Sequence, residues 1–175
     1  AIEFGQSYFM GGDWNRFNEA FYATQAEPSI DFSIYAQHSP PELNYYVAAG
    51  LSYFEQSDNQ KTIRAPLLIG EIFYSWLKSD YISLDIGLAA YISGDLQFKI
   101  GNPNRSFYGS MFGAGPKLNI RFLPNNFIGL HISTRYQYFQ MVNFDNIEVN
   151  GLSTPVTFDE MNNFSILVGL SFRIL

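Results

Sequence analysis

The chain has no cysteine, which removes disulfide frameworks and thiolate chemistry and leaves the redox compartment open. It also lacks any apolar run of the about 18 residues that a membrane-crossing helix needs. Charge is scarce, at 15% of residues, against roughly a quarter in ordinary soluble domains. The 10 Lys and Arg are scattered under a net charge of -6, so no basic face exists for a nucleic acid. A glycine-rich phosphate loop, a dinucleotide fingerprint and a His/Cys grouping for zinc are all missing, so neither a cofactor nor a metal is implied.

What the chain has instead is aromatics, 18% of its 175 residues, and alternation. Apolar residues recur at every second position in Ile82, Leu84, Ile86, Leu88, Ala90 and Ile92, and again in Phe164, Ile166, Val168, Leu170, Phe172 and Ile174. A period of two is that of a strand with one apolar face. Eight such stretches are predicted, near 2–10, 28–37, 43–54, 62–76, 80–92, 108–122, 127–139 and 162–174. A mean hydropathy of -0.05 fits, because a polar inner lining hides an apolar outer face from any average.

The connections alternate in length. Short, turn-rich ones lie at 38–42, 77–80 and 123–126, and long ones at 11–27, 55–61, 94–107 and 140–161. That alternation describes an all-β fold, an eight-stranded antiparallel transmembrane β-barrel with short periplasmic turns and longer extracellular loops, filling one domain over 1–175. An even strand count puts both termini at the periplasmic end. A start at Ala1 without Met points to a removed signal peptide. Short strand-like pieces at Phe144 through Val149 and Val156 through Phe158 are read as extensions above the membrane; a hairpin crossing it there would raise the count to ten.

One parity of each strand is apolar and is assigned outward. Within it Tyr45, Trp76 and Phe122 fall near the turn end and Tyr8, Tyr53, Tyr136, Tyr138 and Phe164 near the loop end, forming two interfacial girdles. The opposite parity carries Glu3, Asp31, Glu71 and Asp85 with Lys117, Arg121, Arg135, Arg173 and His131. An eight-stranded lumen is narrow and filled by side chains, so these charges are expected to pair. Glu71 and Asp85 are expected near Lys117 or Arg135, and Glu3 near Arg173. Tyr35, Tyr46, Tyr81 and Phe139 would share the lumen, and Gly5, Gly50, Gly87, Gly113, Gly115 and Gly169 would make room there. A polar, plugged interior without a water channel follows.

The last strand, Asn163 through Leu175, resembles the C-terminal signal of bacterial outer-membrane proteins, although Leu175 stands where that pattern favours an aromatic. Phe112-Gly-Ala-Gly-Pro-Lys-Leu-Asn-Ile-Arg121 resembles the penultimate hairpin of small barrels of the OmpA and OmpX type. The resemblance implies a Gram-negative outer-membrane protein, in contact with outer-membrane lipids and lipopolysaccharide, expected to be a monomer.

His131-Ile132-Ser133 resembles the His-x-Ser of the outer-membrane lipid A 3-O-deacylase family. That resemblance implies a hydrolase with His131 as base and Ser133 as nucleophile. Thr134 stands where the family has Asn, only Glu160 is offered as the acid, and the parity turns His131 and Ser133 away from lipid. Gly12-Asp13-Trp14 resembles the Gly-x-Trp of lipocalins, which would imply a soluble barrel; the inward charges oppose it. Trp14, Phe17, Phe21 and Tyr22 are assigned to packing of the first loop. Loop acids Asp58, Asp95, Asp145, Asp159 and Glu160 lack a calcium spacing and are read as solvated. The leading expectation is a non-enzymatic scaffold that presents its loops for envelope integrity, adhesion or binding of an extracellular or envelope partner.

Overall fold

The computed structural model describes residues 1–10, 28–38, 40, 42–57, 61–100, 105–122, 128–149, 152–158 and 161–172. Nine strands run through them: β1 (Ile2–Met10), β2 (Ser29–His38), β3 (Tyr45–Ser57), β4 (Lys61–Lys78), β5 (Ile82–Ile100), β6 (Arg105–Phe122), β7 (Ile128–Val149), β8 (Leu152–Phe158) and β9 (Met161–Phe172). Each of β1 to β7 pairs antiparallel with its sequence neighbours, β9 bridges β7 and β1, and the ring closes. The wall therefore has eight strands. β8 stands outside it, hairpinned onto the upper part of β7 from Val142↔Phe158 to Val149↔Leu152. The segment 140–161 thus does hold a hairpin, and it extends the wall instead of adding to the strand count.

Two expectations about loops are corrected. The segment 94–107 is mostly strand, with β5 running to Ile100 and β6 starting at Arg105, and only 58–60 separates β3 from β4. The alternation continues but is broken by a bulge between Ser93 and Leu96, where Gly94 and Asp95 both face outward. A bulge adds one residue to one strand and resets the period of two. The register also shifts between Arg64 and Leu68 on β4.

Those irregularities coincide with an inversion of polarity along the same strands. Below them the outward residues are apolar, as with Ile72 and Leu88, and the inward ones include Glu71, Asp85 and Lys117. Above them Thr62, Arg64, Gln97, Lys99 and Ser106 face outward, while Ile63, Ala65, Leu96, Phe98, Phe107 and Met111 are buried. An apolar exterior requires hydrocarbon around it, and a polar exterior over an apolar core requires water. One wall therefore crosses from one solvent to the other. The expectation of a polar lumen throughout is corrected accordingly: the loop-end interior is an apolar core of Phe9, Phe54, Leu67, Phe98, Phe139, Met161 and their neighbours.

Candidate functional site

In the turn-end half the inward charges form three tiers that follow one another along the strands. The lowest joins β5 to β6. Arg121 holds Asp85 through both oxygens, Nε to Oδ2 at 2.6 Å and Nη2 to Oδ1 at 3.1 Å, and its guanidinium lies 4.6 Å from the Tyr46 ring centre. Ser75 Oγ and the Tyr46 hydroxyl also donate to Asp85, at 2.8 and 3.1 Å, and Asn119 Nδ2 donates to Tyr46 at 3.1 Å.

The middle tier is built on Lys117. Its Nζ donates to Glu3 Oε2 at 3.0 Å, to Glu71 Oε1 at 3.0 Å and to the Tyr35 hydroxyl at 3.2 Å, and sits 4.8 Å from the Tyr35 ring centre. Both oxygens of Glu3 are used, since Oε1 meets His131 Nε2 at 3.0 Å and accepts from Ser133 Oγ at 2.9 Å. Small residues on the intervening strands allow these partners to meet. Gly169 of β9 is the register partner of both Glu3 and His131, and a Cβ there would run into the His131 ring. Gly87 and Ala89 of β5 are likewise the partners of Lys117 and Glu71.

In the third tier Arg135 bonds Asp31 through Nη2 and Ser165 through Nε, the latter at 3.1 Å, with Tyr91 beneath its guanidinium. Ser52 donates to the free side of Asp31 at 3.1 Å. Asp31, Arg135 and Lys117 are each at most 2% exposed, so the multiple bonds are what make their burial tolerable.

Sequence reasoning offered Lys117 or Arg135 to both Glu71 and Asp85; Glu71 bonds Lys117, whereas Asp85 is corrected: its partner is Arg121. Glu3 is bonded to Lys117, His131 and Ser133, whereas Arg173 lies outside the described residues. Tyr81 is corrected as well, being 71% exposed and outside the lumen. The hydroxyl partners Ser52, Ser75, Ser83 and Ser165 and the amide of Asn119 were missed. Their signal was parity, since each lies on the buried, inward face of its strand.

The geometry does not assemble a nucleophile with its base. His131 and Ser133 share Glu3 Oε1, and His131 Nδ1 has no hydrogen-bond partner among the described residues, whereas a Ser–His couple needs the imidazole bonded to the serine. Glu160 falls outside the described residues. Among the described residues no group of His, Cys, Asp or Glu is arranged to hold a metal.

On the outer face Tyr8, Phe164 and Tyr136 occupy one cross-strand row, with Tyr138 exposed one pair further along β7. Tyr53 and Phe164 are half-buried. At the other end Trp76 and Phe122 are exposed, and Tyr45 packs on Tyr74 with ring centres 5.0 Å apart. Trp14, Phe17, Phe21 and Tyr22 lie outside the described residues, as do Asp58 and Asp159.

Solved structures share this architecture. Neisserial surface protein A superposes with a TM-score of 0.70 at 9% identity, over 99% of this chain and 94% of that one. The fold is that of the small outer-membrane barrels. Ail, the attachment invasion locus protein of Yersinia pestis, superposes with a TM-score of 0.54 at 11% identity, over 99% of this chain and 96% of that one. No known family profile and no curated protein matches the sequence. At such identities the likeness establishes the fold and leaves the activity to be argued from this chain's own residues.

Proposed function

We propose that the chain is an integral, non-enzymatic protein of a bacterial outer membrane, a plugged barrel that raises a wall of strands and its loops above the outer leaflet for structural or adhesive duty. The inversion of polarity along β4, β5 and β6 carries this reading, because it gives one barrel a lipid-facing zone and a water-facing zone. Attachment, the role in the name of the Yersinia pestis barrel, is one form such duty takes. The three tiers and the apolar core above them support a barrel without a continuous channel, with both termini and the short turns on the periplasmic side. Outer-membrane lipids and lipopolysaccharide surround the belt, and a monomer suffices, since the ring closes on itself.

Reconstitution into planar bilayers tests the plug: no steady open events are expected, and large, sustained conductance defeats it. Hydrolysis of lipid A through His131 and Ser133 is the competing reading. Incubating wild type and Ser133→Ala with lipopolysaccharide and weighing the lipid A by mass spectrometry separates the two. Serine-dependent loss of an acyl chain overturns the scaffold.

A further inference from the structure

The three tiers leave polar atoms over. Among the described residues Asn119 Oδ1, His131 Nδ1, Glu71 Oε2, Arg135 Nη1, the Tyr91 hydroxyl and both amide atoms of Gln137 are buried and meet no hydrogen-bond partner. They climb the lumen in step with the tiers. Glu71 stands opposite Ala89, and Ala89 opposite Gly115. A Cβ on Gly115 would come within 3.1 Å of Gln137 Cα, so Glu71 and Gln137 share one level with only small residues between them. Tyr91 is one inward position above Ala89, its ring centre 5.4 Å from the Arg135 guanidinium and its hydroxyl turned towards the Gln137 amide.

At Tyr91 the chemistry changes. Its own row runs through Ile69, Gly113, Phe139 and Met161, and the apolar core continues above it. In that half the buried Gln56 side chain has interactions of its own. A buried polar atom without a partner is costly, and water making two to four hydrogen bonds removes the cost, whereas an apolar lining stays dry. Donors and acceptors are mixed at the upper level. Arg135 Nη1 donates, Glu71 Oε2 accepts, and Gln137 and Tyr91 do both, so a bare ion of either sign would face groups of the wrong polarity and water would not.

We propose that the lumen holds ordered water from the lowest tier up to Tyr91 and Gln137, and that the apolar core above them is the seal that closes the barrel. Apolar constrictions exclude water by dewetting, which paired charges do not. This rests on the plugged reading above and assigns the plug to one half of the lumen.

The test is hydroxyl-radical footprinting of the full barrel in phosphatidylcholine nanodiscs, with radicals made from water by an X-ray pulse and each rate normalised to the reactivity of the free amino acid. Phe73 and Phe98 are matched, each 1% exposed, but Phe73 lies among the tiers, stacked on Tyr46, and Phe98 lies in the core. Tyr91, also 1% exposed, marks the boundary. Tyr91 and Phe73 are expected to be modified faster than Phe98 and Phe139 by about tenfold or more, since only water beside a buried ring can supply the radical. Gln137→Met, which removes both amide atoms, is expected to slow modification at Tyr91 and leave Phe73 unchanged. Uniformly slow rates in the wild type overturn the internal water, and uniformly fast ones overturn the seal. A rate at Tyr91 that ignores Gln137→Met overturns that level as the top of the water. A dry lumen leaves the plugged reading standing, because bilayer conductance tests it independently.

Discussion

The two halves of the lumen fill the same narrow space with opposite chemistry. Near the turns the wall faces hydrocarbon, and the interior is three tiers of paired charge; near the loops the wall faces water, and the interior is Phe9, Phe54, Leu96, Phe98, Phe107 and Phe139. The upper half is ordinary soluble architecture, in which burying apolar surface drives folding. The lower half has no such drive, since lipid is as apolar as any core. Its polar tiers do a different job. A slip of one residue exchanges the faces of a strand and would turn Glu71, Asp85 or Lys117 into the bilayer, so each charge penalises every wrong register heavily.

The largest way to break this contrast is at Lys117, which holds two buried carboxylates together. Lys117→Met removes the ammonium between Glu3 and Glu71, leaving Glu3 only its bonds to His131 and Ser133, and about 3–5 kcal/mol of stability is expected to go. Urea unfolding in lipid vesicles measures it. Because acid neutralises the stranded carboxylates, the loss should shrink as pH falls, whereas the loss from Leu96→Ala in the apolar half should not depend on pH. Equal pH dependence of the two variants would dissolve the distinction between the halves.

A second comparison sharpens the boundary between them. Leu88 and Tyr108 both point outward and are well exposed, Leu88 between Ile72 and Pro116 in the belt and Tyr108 opposite Gln97 above the bulge. Leu88→Arg places a charge near the middle of the hydrocarbon and should cost about 2–4 kcal/mol, while Tyr108→Arg should cost under about 1 kcal/mol. Similar costs at the two positions would mean that the polarity inversion does not mark the membrane surface.

These features were unequally legible in the sequence. Inside and outside were readable from parity alone, because a strand permits only two directions and the apolar set is nearly continuous in one of them. Pairing was not, because it depends on register between strands. Asp85 reaches Arg121 because Ser83 stands opposite Arg121 and Asp85 opposite Asn119, an alignment that sequence spacing leaves undefined. The inversion of polarity was hidden by the bulge at Ser93–Leu96, where two successive outward residues look like the start of a loop. Glu3 and His131 meet across a third strand, so neither sequence distance nor hairpin logic could have joined them.

That last meeting supplies the smallest effect. Gly169 lies between Glu3 and His131, and an added Cβ would meet the His131 ring on one side and the Ile2 carbonyl, at 2.5 Å, on the other. The ring can move but the carbonyl belongs to the wall, so Gly169→Ala is expected to cost about 1–3 kcal/mol through overpacking. Removing the ring relieves part of the crowding. Gly169→Ala and His131→Ala together should therefore cost less than the sum of the two alone, by about 0.5 kcal/mol or more in a double-mutant cycle. Strict additivity would mean that the glycine does not serve this contact, and that the space in the middle tier is set by the strands themselves.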